Sequence, residues 1–366
     1  MPRGQPTGQF LLILRDGKIP IGSPIQQLPR RPMADVFCGL QTLYSQVTEL
    51  RKKELMTLPK TNRLYGKLKL RFRKHLAVCV ATVSLLFLIS IPSALATGRQ
   101  DFSINVVTSL DDQFWVNSVI IEGAHEVMLV DAQLTKTNAE RVLQKIKEIK
   151  KLLTIIYITH EHADHFLGLE VFKEAYPGVR IIATPAVVDR INKVYQEKID
   201  KWKKILGSGA TSRVIAIEDF DRNSVTFDGS QIEVLKHIQG DTDENTMLWI
   251  AGQRILIAGD VVVNNMHLYT AETDSKAREK WLDSLQQIRT LKPSVVIPGH
   301  SKVGDPLDAN TAVDFTENYL KAFEEELKKA KDPDSLINAM KGRLPSADLA
   351  LALERGAKAN FNALKK

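Results

Sequence analysis

The stretch THEHADHFLG, residues 159–168, places three histidines and two acids within ten residues, directly after the apolar run LLTIIYI. A β-branched run of that kind predicts a buried strand, and a loop leaving a strand end is held firmly enough to aim its side chains. Imidazole and carboxylate are both good ligands for zinc and related divalent ions. H-x-H on an extended or tight-turn backbone can turn His160 and His162 toward one ion. The D-H that follows can turn Asp164 and His165 toward a second. The competing reading is a solvated histidine-rich loop, which predicts nothing elsewhere in the chain.

Matching residues do occur elsewhere. Asp260 ends LIAGD, His300 ends SVVIPGH, and Asp241 follows IEVLKHI within QGDT. Each comes after an apolar run and beside a glycine, which permits close backbone approach. The chain therefore has to fold so that several strand ends meet. FWVNSVIIEG (114–123) and EVMLVDA (126–132) predict a hairpin. TKTNAERVLQKIKEIKK (135–151) carries Val142, Leu143, Ile146 and Ile149 at helical spacing, and GLEVFKEAY begins a second helix. GVRIIATP is a further strand, and the charged, amphipathic residues 186–207 predict one or two helices. SVTFDGSQIEVLKHI, TMLWIAGQRILIAGD and PSVVIPGH supply more strands, and 311–366 is helical in pattern. This alternation predicts a layered α/β domain with helices outside a sheet core.

From about 101 to 305 the chain resembles the metallo-β-lactamase superfamily: the H-x-H-x-D-H hallmark is THEHADH here, followed in order by A-G-D and P-G-H. The resemblance implies a four-layer αββα sandwich with metals at one edge of its two sheets, here with a C-terminal helical extension. It also implies two divalent ions, Zn2+ first with Mn2+ or Fe2+ as alternatives, and a bridging hydroxide. Carried over by motif, His160 and His162 bind the first metal. Asp164, His165 and His300 bind the second, and Asp260 bridges both. Asp131, ending EVMLVDA, would hold a ligand loop from behind, the plain alternative being a turn or cap residue.

One position departs from the family. Its third ligand to the first metal is usually the histidine of a G-H-T-like motif, and Gly240-Asp241-Thr242 stands there instead. Asp241 fits the register as an oxygen ligand and would shift preference toward a harder ion. His237, three residues before Gly240, is the alternative, as is weak binding of that metal.

The +7 formal charge of the chain is confined to its start. Residues 1–96 carry 15 of the 50 Lys and Arg but only 4 of the 43 Asp and Glu, so the remainder is net −4. No nucleic-acid partner is indicated. KLKLRFRKH (67–75), the uncharged run LAVCVATVSLLFLIS (76–90) and Ala94 and Ala96 in a small-x-small pattern match a signal peptide, cut after Ala96. An uncleaved anchor is the alternative. Contact with a membrane is thus expected only through the leader, and the mature protein is expected to be periplasmic or secreted. Residues 1–55 are expected to be a disordered or mis-assigned extension, 56–96 the signal peptide, 97–310 the catalytic domain and 311–366 a helical extension packed on it. Both cysteines, Cys38 and Cys79, precede the cut, so the mature chain has no thiolate ligand or nucleophile.

The expected activity is metal-dependent cleavage of a small ester, lactone or cyclic amide, with Asp164 and Asp260 at the reacting centre. A relative that binds metal with little or no turnover, and a phosphodiesterase, are the alternatives. In VVVNNMHLYTAE (261–272), His267 is the candidate for substrate contact or oxyanion donation, against a surface-loop histidine. Trp202 and Tyr195 on the charged insert are candidates for a lid over the metals, against ordinary packing.

Overall fold

The computed structural model describes residues 11–12, 101–110 and 113–363. The leader motifs and the cleavage position lie outside the described residues. Every described element belongs to one compact unit that includes residues 99–366.

Two sheets form the centre. The first has seven strands in sequential order: β1 (Leu11–Leu12), β2 (Ser103–Thr108), β3 (Asn117–Glu122), β4 (Glu126–Val130), β5 (Leu152–Tyr157), β6 (Arg180–Ala183) and β7 (Glu218–Asp219). The second has β8 (Ser224–Phe227), β9 (Ser230–Ile238), β10 (Asn245–Ile250), β11 (Ile255–Val263) and β12 (Val295–His300), with β12 beside β11 at the far edge. β3 and β4 form the expected hairpin; β4, β5 and β6 run parallel, joined through helices.

Strand alternation shows how the sheets stack. In β3, Val119 and Ile121 face the second sheet, while Ile120 faces the other way onto helices. In β10, Leu248 and Ile250 join the core between the sheets, and Met247 and Trp249 turn outward. Both faces of each sheet are thus covered, which gives four layers.

The outer face of the first sheet is covered by α1 (Lys136–Ile149), the single turn α2 (Ala163–Phe166), α3 (Leu169–Ala175) and α4 (Pro185–Leu206). α1 starts where Thr135 caps it, its side chain accepting from Asn138 N–H, and buries Val142, Leu143 and Ile146 as the spacing predicts. The segment expected as one or two helices is a single one, α4, which begins at Pro185 and ends at Leu206. The outer face of the second sheet is covered by α5 (Ser275–Leu291), α6 (Thr311–Lys329), α7 (Pro333–Arg343) and α8 (Ala350–Ala363). Arg278 is buried under these helices, held by Glu324, Thr273 and Asn360 Oδ1 (2.9 Å). Among the described residues, no helix is long and apolar enough to cross a membrane.

Candidate metal centre

The strands that bear the motif residues end at one edge of the sandwich. β5 runs into Thr159 and His160. β9 leads to Gly240 and Asp241, and His300 is the last residue of β12. Asp260 lies inside β11, not at its end: the β11–β12 pairing slips on both sides of Gly259, and the strand continues to Val263. Gly259 has φ +50°, and a Cβ there would press against Thr159 at 3.1 Å. At Gly299 a Cβ would sit 1.9 Å from Asp260 Oδ1. The irregular pairing thus aims the carboxylate of Asp260 into the cluster, and these glycines leave room for it.

Two groups of ligand-type atoms result. His160, His162, Asp241 and Asp260 form one, and Asp164, His165 and His300 form the other; within each group the atoms lie within 4.8 Å of one another. Asp260 also reaches the second group, with Oδ1 3.3 Å from His165 Nε2 and Oδ2 3.0 Å from His300 Nε2. All seven metal-site candidates therefore converge.

A set of outer partners fixes which ring atom points inward. The Nδ1–H of His165 donates to Asp131 Oδ2 (2.8 Å), and that of His300 to the Phe114 carbonyl (2.7 Å). The hydroxyl of Thr159 donates to Asp131 Oδ2 (2.8 Å), which leaves its oxygen to accept from His160 Nδ1 at 3.0 Å. Three imidazoles thus present Nε2 to the cluster, and His162 presents Nδ1, 2.7 Å from Asp241 Oδ2. Asn245 Nδ2 donates to Asp241 Oδ1 (3.0 Å), leaving Oδ2 turned toward the histidines. Outer partners of this kind set the tautomer and orientation of metal ligands.

Asp131 holds the loop as the sequence suggests. Besides the two bonds to its Oδ2, its Oδ1 accepts from Thr159 N–H (2.9 Å). It is buried and has φ +61°, a conformation that aspartate tolerates better than most residues.

The electrostatics call for added positive charge. Burial pushes the Asp241 carboxyl up to about 6, with His162 opposing and Asp260 reinforcing the rise. Burial also disfavours the charged form of Asp260, but His300, His165 and His160 outweigh it and hold the pKa well below the carboxylate range. Burial keeps His160 neutral, its pKa well below the ordinary value. At His165 burial is overcome by Asp260, Asp131 and Asp164, which raise it.

His160 Nε2, His165 Nε2, Asp241 Oδ2 and Asp260 Oδ1 are all buried without a hydrogen-bond partner. Ten side-chain atoms of this kind occur among the described residues, and four of them meet in this one cluster. Four imidazoles and three carboxylates, with no thiolate, suit zinc, manganese or iron. The residues present fit a pair of divalent ions.

Beside the cluster lies an open cleft of about 660 Å³, solvent included, with Asp164, Asp241, Asp260 and His300 on its wall. Trp202 lines it, edge-on to Phe114 at 5.7 Å between ring centres. Tyr195 does not: it is buried against Phe166 in the helix–sheet core, so of the expected lid pair only Trp202 faces the cleft. His267 is also misplaced by the sequence reading. It is buried in the opposite layer, its Nδ1 3.2 Å from the Tyr319 hydroxyl and its N–H on the Asp348 carbonyl, because the segment after β11 packs under α6. His237 is exposed and contacts Glu244 at 2.8 Å, away from both groups, which leaves Asp241 as the residue in the third-ligand position.

Sequence reasoning missed three contributors. Glu272 Oε1 lies 3.3 Å from His162 Nε2, and Tyr269 packs edge-on to the same ring; both stand in the 261–272 segment, in which the sequence reading singles out only His267. Glu161, the middle residue of H-x-H, accepts from Arg190 (2.8 Å) and from Thr242 (3.3 Å), tying α4 to the Asp241 loop. The carboxylate of Glu161 gave no signal in the sequence that would separate it from a solvated loop acid.

Comparison with known proteins identifies the family. The profile of the metallo-beta-lactamase superfamily matches residues 112–300. The chain belongs to that superfamily, whose members are generally hydrolases that bind divalent metals. Among its relatives, a metallo-beta-lactamase type 2 of Bacillus cereus is 22% identical over 193 residues, covering 52% of this chain and 68% of that protein. The exodeoxyribonuclease WalJ of Streptococcus pneumoniae is 26% identical over 126 residues, covering 34% of this chain and 46% of the relative. A solved metallo-beta-lactamase from Pontibacter korlensis is 20% identical with a TM-score of 0.46, over 61% of this chain and 99% of the other.

Proposed function

We propose that the protein is an exported metal-dependent hydrolase that cleaves a small ester, lactone or cyclic amide. The observation that carries the reading is the convergence of two ligand groups, with four partnerless buried donor and acceptor atoms, on the wall of an open cleft. His160, His162 and Asp241 would hold one ion, Asp164, His165 and His300 the other, and Asp260 reaches both groups. The chemistry supplied by two divalent ions there is Lewis acidity toward a carbonyl and toward an attacking water.

The chain's own residues do the rest. Asp164 faces the cleft with Oδ2 3.7 Å from His300 Nε2 and 3.8 Å from His165 Nε2. It is the partly exposed carboxylate of the cluster and the one placed to take a proton from water and pass it to the leaving group. Asp260, buried between three imidazoles, stays ionised and orients them. Asp131, Thr159 and the Phe114 carbonyl keep the Nε2 atoms inward throughout. No serine or cysteine nucleophile is required.

A second reading, phosphodiester cleavage, draws on the partial similarity to an exodeoxyribonuclease. The net charge of −4 after residue 96 weighs against a polyanionic substrate. One experiment addresses both readings. The purified chain is assayed for bound metal by elemental analysis, beside Asp241→Ala and His165→Ala, and for turnover of lactone, ester, β-lactam and bis-nitrophenyl phosphate panels with and without chelator. About two equivalents, falling toward one in each variant, with chelator-sensitive turnover of a carbonyl substrate, is the expected result. One equivalent or none, unchanged by Asp241→Ala, and no turnover would replace the hydrolase with a binding role.

A further inference from the structure

The open side of the cleft is built by two helices that contribute nothing to the His/Asp cluster. Lys198, Lys201 and Trp202 lie at i, i+3 and i+4 on one stripe of α4, and Arg355 comes from α8; all four line the cleft. None of the three cations has an ion-pair partner within 4.0 Å among the described residues. Lys193, earlier on α4, is by contrast paired with Asp189. The cations are near enough to act on one another: after partial burial, Arg355 and then Lys198 lower the pKa of Lys201, with Glu197 and Glu272 opposing but not cancelling the effect. The acids of the cleft have closer partners than these cations, although Glu272 also acts on Lys198 and Lys201 from beyond ion-pair distance. Asp164, Asp241 and Asp260 belong to the ligand groups, and Glu272 contacts His162.

Arg355 is not on a loose tail. Asn360 Nδ2 donates to the Thr270 carbonyl (3.0 Å), and Arg278 Nη1 donates to Asn360 Oδ1 (2.9 Å). Gly356 packs so closely on Thr270 that a Cβ would lie 2.2 Å from its hydroxyl. α8 is thereby fastened to the segment that bears Tyr269 and Glu272. It lies beyond residue 300, where the match to the superfamily ends.

Like charges gathered without partners repel one another, and a negative ligand relieves that repulsion. We propose, resting on the hydrolase reading above, that the substrate carries an anionic group apart from its scissile bond. Its acidic group is held by Lys198, Lys201 and Arg355 while its scissile bond lies at the Asp164–Asp260 cluster. Trp202 and Phe114 form the apolar wall between the two ends.

The test uses the metal-loaded full chain and two probes of similar shape, benzenesulfonate and the neutral methyl phenyl sulfone, measured by calorimetry. The sulfonate is a weak metal ligand, so its binding reports on the cations. It is expected to bind at least about tenfold more tightly than the sulfone, with the preference fading as salt rises. Lys201→Ala and Arg355→Ala are each expected to cut that preference about fivefold, and Lys198→Glu to abolish it. Equal binding of both probes, or a preference that survives all three variants, overturns the proposal. The hydrolase reading is scored separately by turnover. A charge-dependent preference without any metal-dependent hydrolysis would remove the enzyme and keep the anion site, whereas hydrolysis without the preference would do the reverse.

Discussion

Asp131→Asn exchanges one oxygen for an amide nitrogen and leaves the shape of the side chain unchanged. Asparagine tolerates the φ of +61° at this position, so the backbone is not disturbed. Asp131 accepts three hydrogen bonds, from Thr159 N–H, the Thr159 hydroxyl and His165 Nδ1–H, and donates none. An amide has one accepting oxygen. If that oxygen faces Thr159 N–H, its NH2 meets the Nδ1–H of His165. The Thr159 hydroxyl can rotate away, but the ring can respond only by moving its proton to Nε2, the atom aimed into the cluster. If the amide flips, the conflict moves to Thr159 N–H. Either way one buried donor loses its partner or a ligand atom is capped, at about 1–3 kcal/mol. With 1.4 kcal/mol per factor of ten, the affinity of the Asp164, His165 and His300 group for metal should fall about 5- to 150-fold. Competition with a chromogenic chelator for Zn2+ measures this, with thermal unfolding as the control for folding. A folded variant that retains both equivalents within twofold of the parent affinity would refute the claim that Asp131 sets the His165 tautomer.

Two further outcomes follow from the packing. Burial, with Lys341 nearby, pushes the pKa of His267 down to about 4, so the unfolded chain takes up that proton first as pH falls. Stability from this group is complete above pH 6.5 and is lost between 6.5 and 4, by about 3 kcal/mol at pH 4. Urea unfolding at pH 7 and pH 4.5 should therefore show a smaller acid loss in His267→Asn than in the parent, and an equal loss would contradict the assignment. At Gly299→Ala the new Cβ would meet Asp260 Oδ1 at 1.9 Å and the Gly259 carbonyl carbon at 2.7 Å. Asp260 must move, so bound metal should drop to one equivalent or less, with about 1–3 kcal/mol lost from overpacking. Elemental analysis and denaturant melts read both, and unchanged stoichiometry would show that the carboxylate position is not decisive.

How much of this was legible in the sequence depends on how local each arrangement is. His160, His162, Asp164 and His165 are set by one strand end, and the strands carrying Asp241, Asp260 and His300 announce themselves as apolar runs beside glycines. Their convergence follows once the strands are stacked. Tyr195 and Trp202 show the limit. Seven residues apart, they share one stripe of α4, and periodicity says only that the stripe is covered. It does not say that the covering is Phe166 at one end and the cleft at the other. His267 fails for a related reason. Its distance along the chain from Asp260 is short, but β11 runs three residues past Asp260, and the following segment is drawn under α6 by Tyr319 and the Asp348 carbonyl. Arg355 is the extreme case, since an amphipathic pattern identifies α8 as a helix without naming its partner. Its placement depends on Arg278, Asn360 and Thr270, three polar residues whose pairing spans 90 positions. Ligand chemistry is written within short motifs, whereas the wall that would choose the substrate is written in long-range contacts. The charge of that wall is therefore the property that two members with identical ligand motifs can differ in most freely.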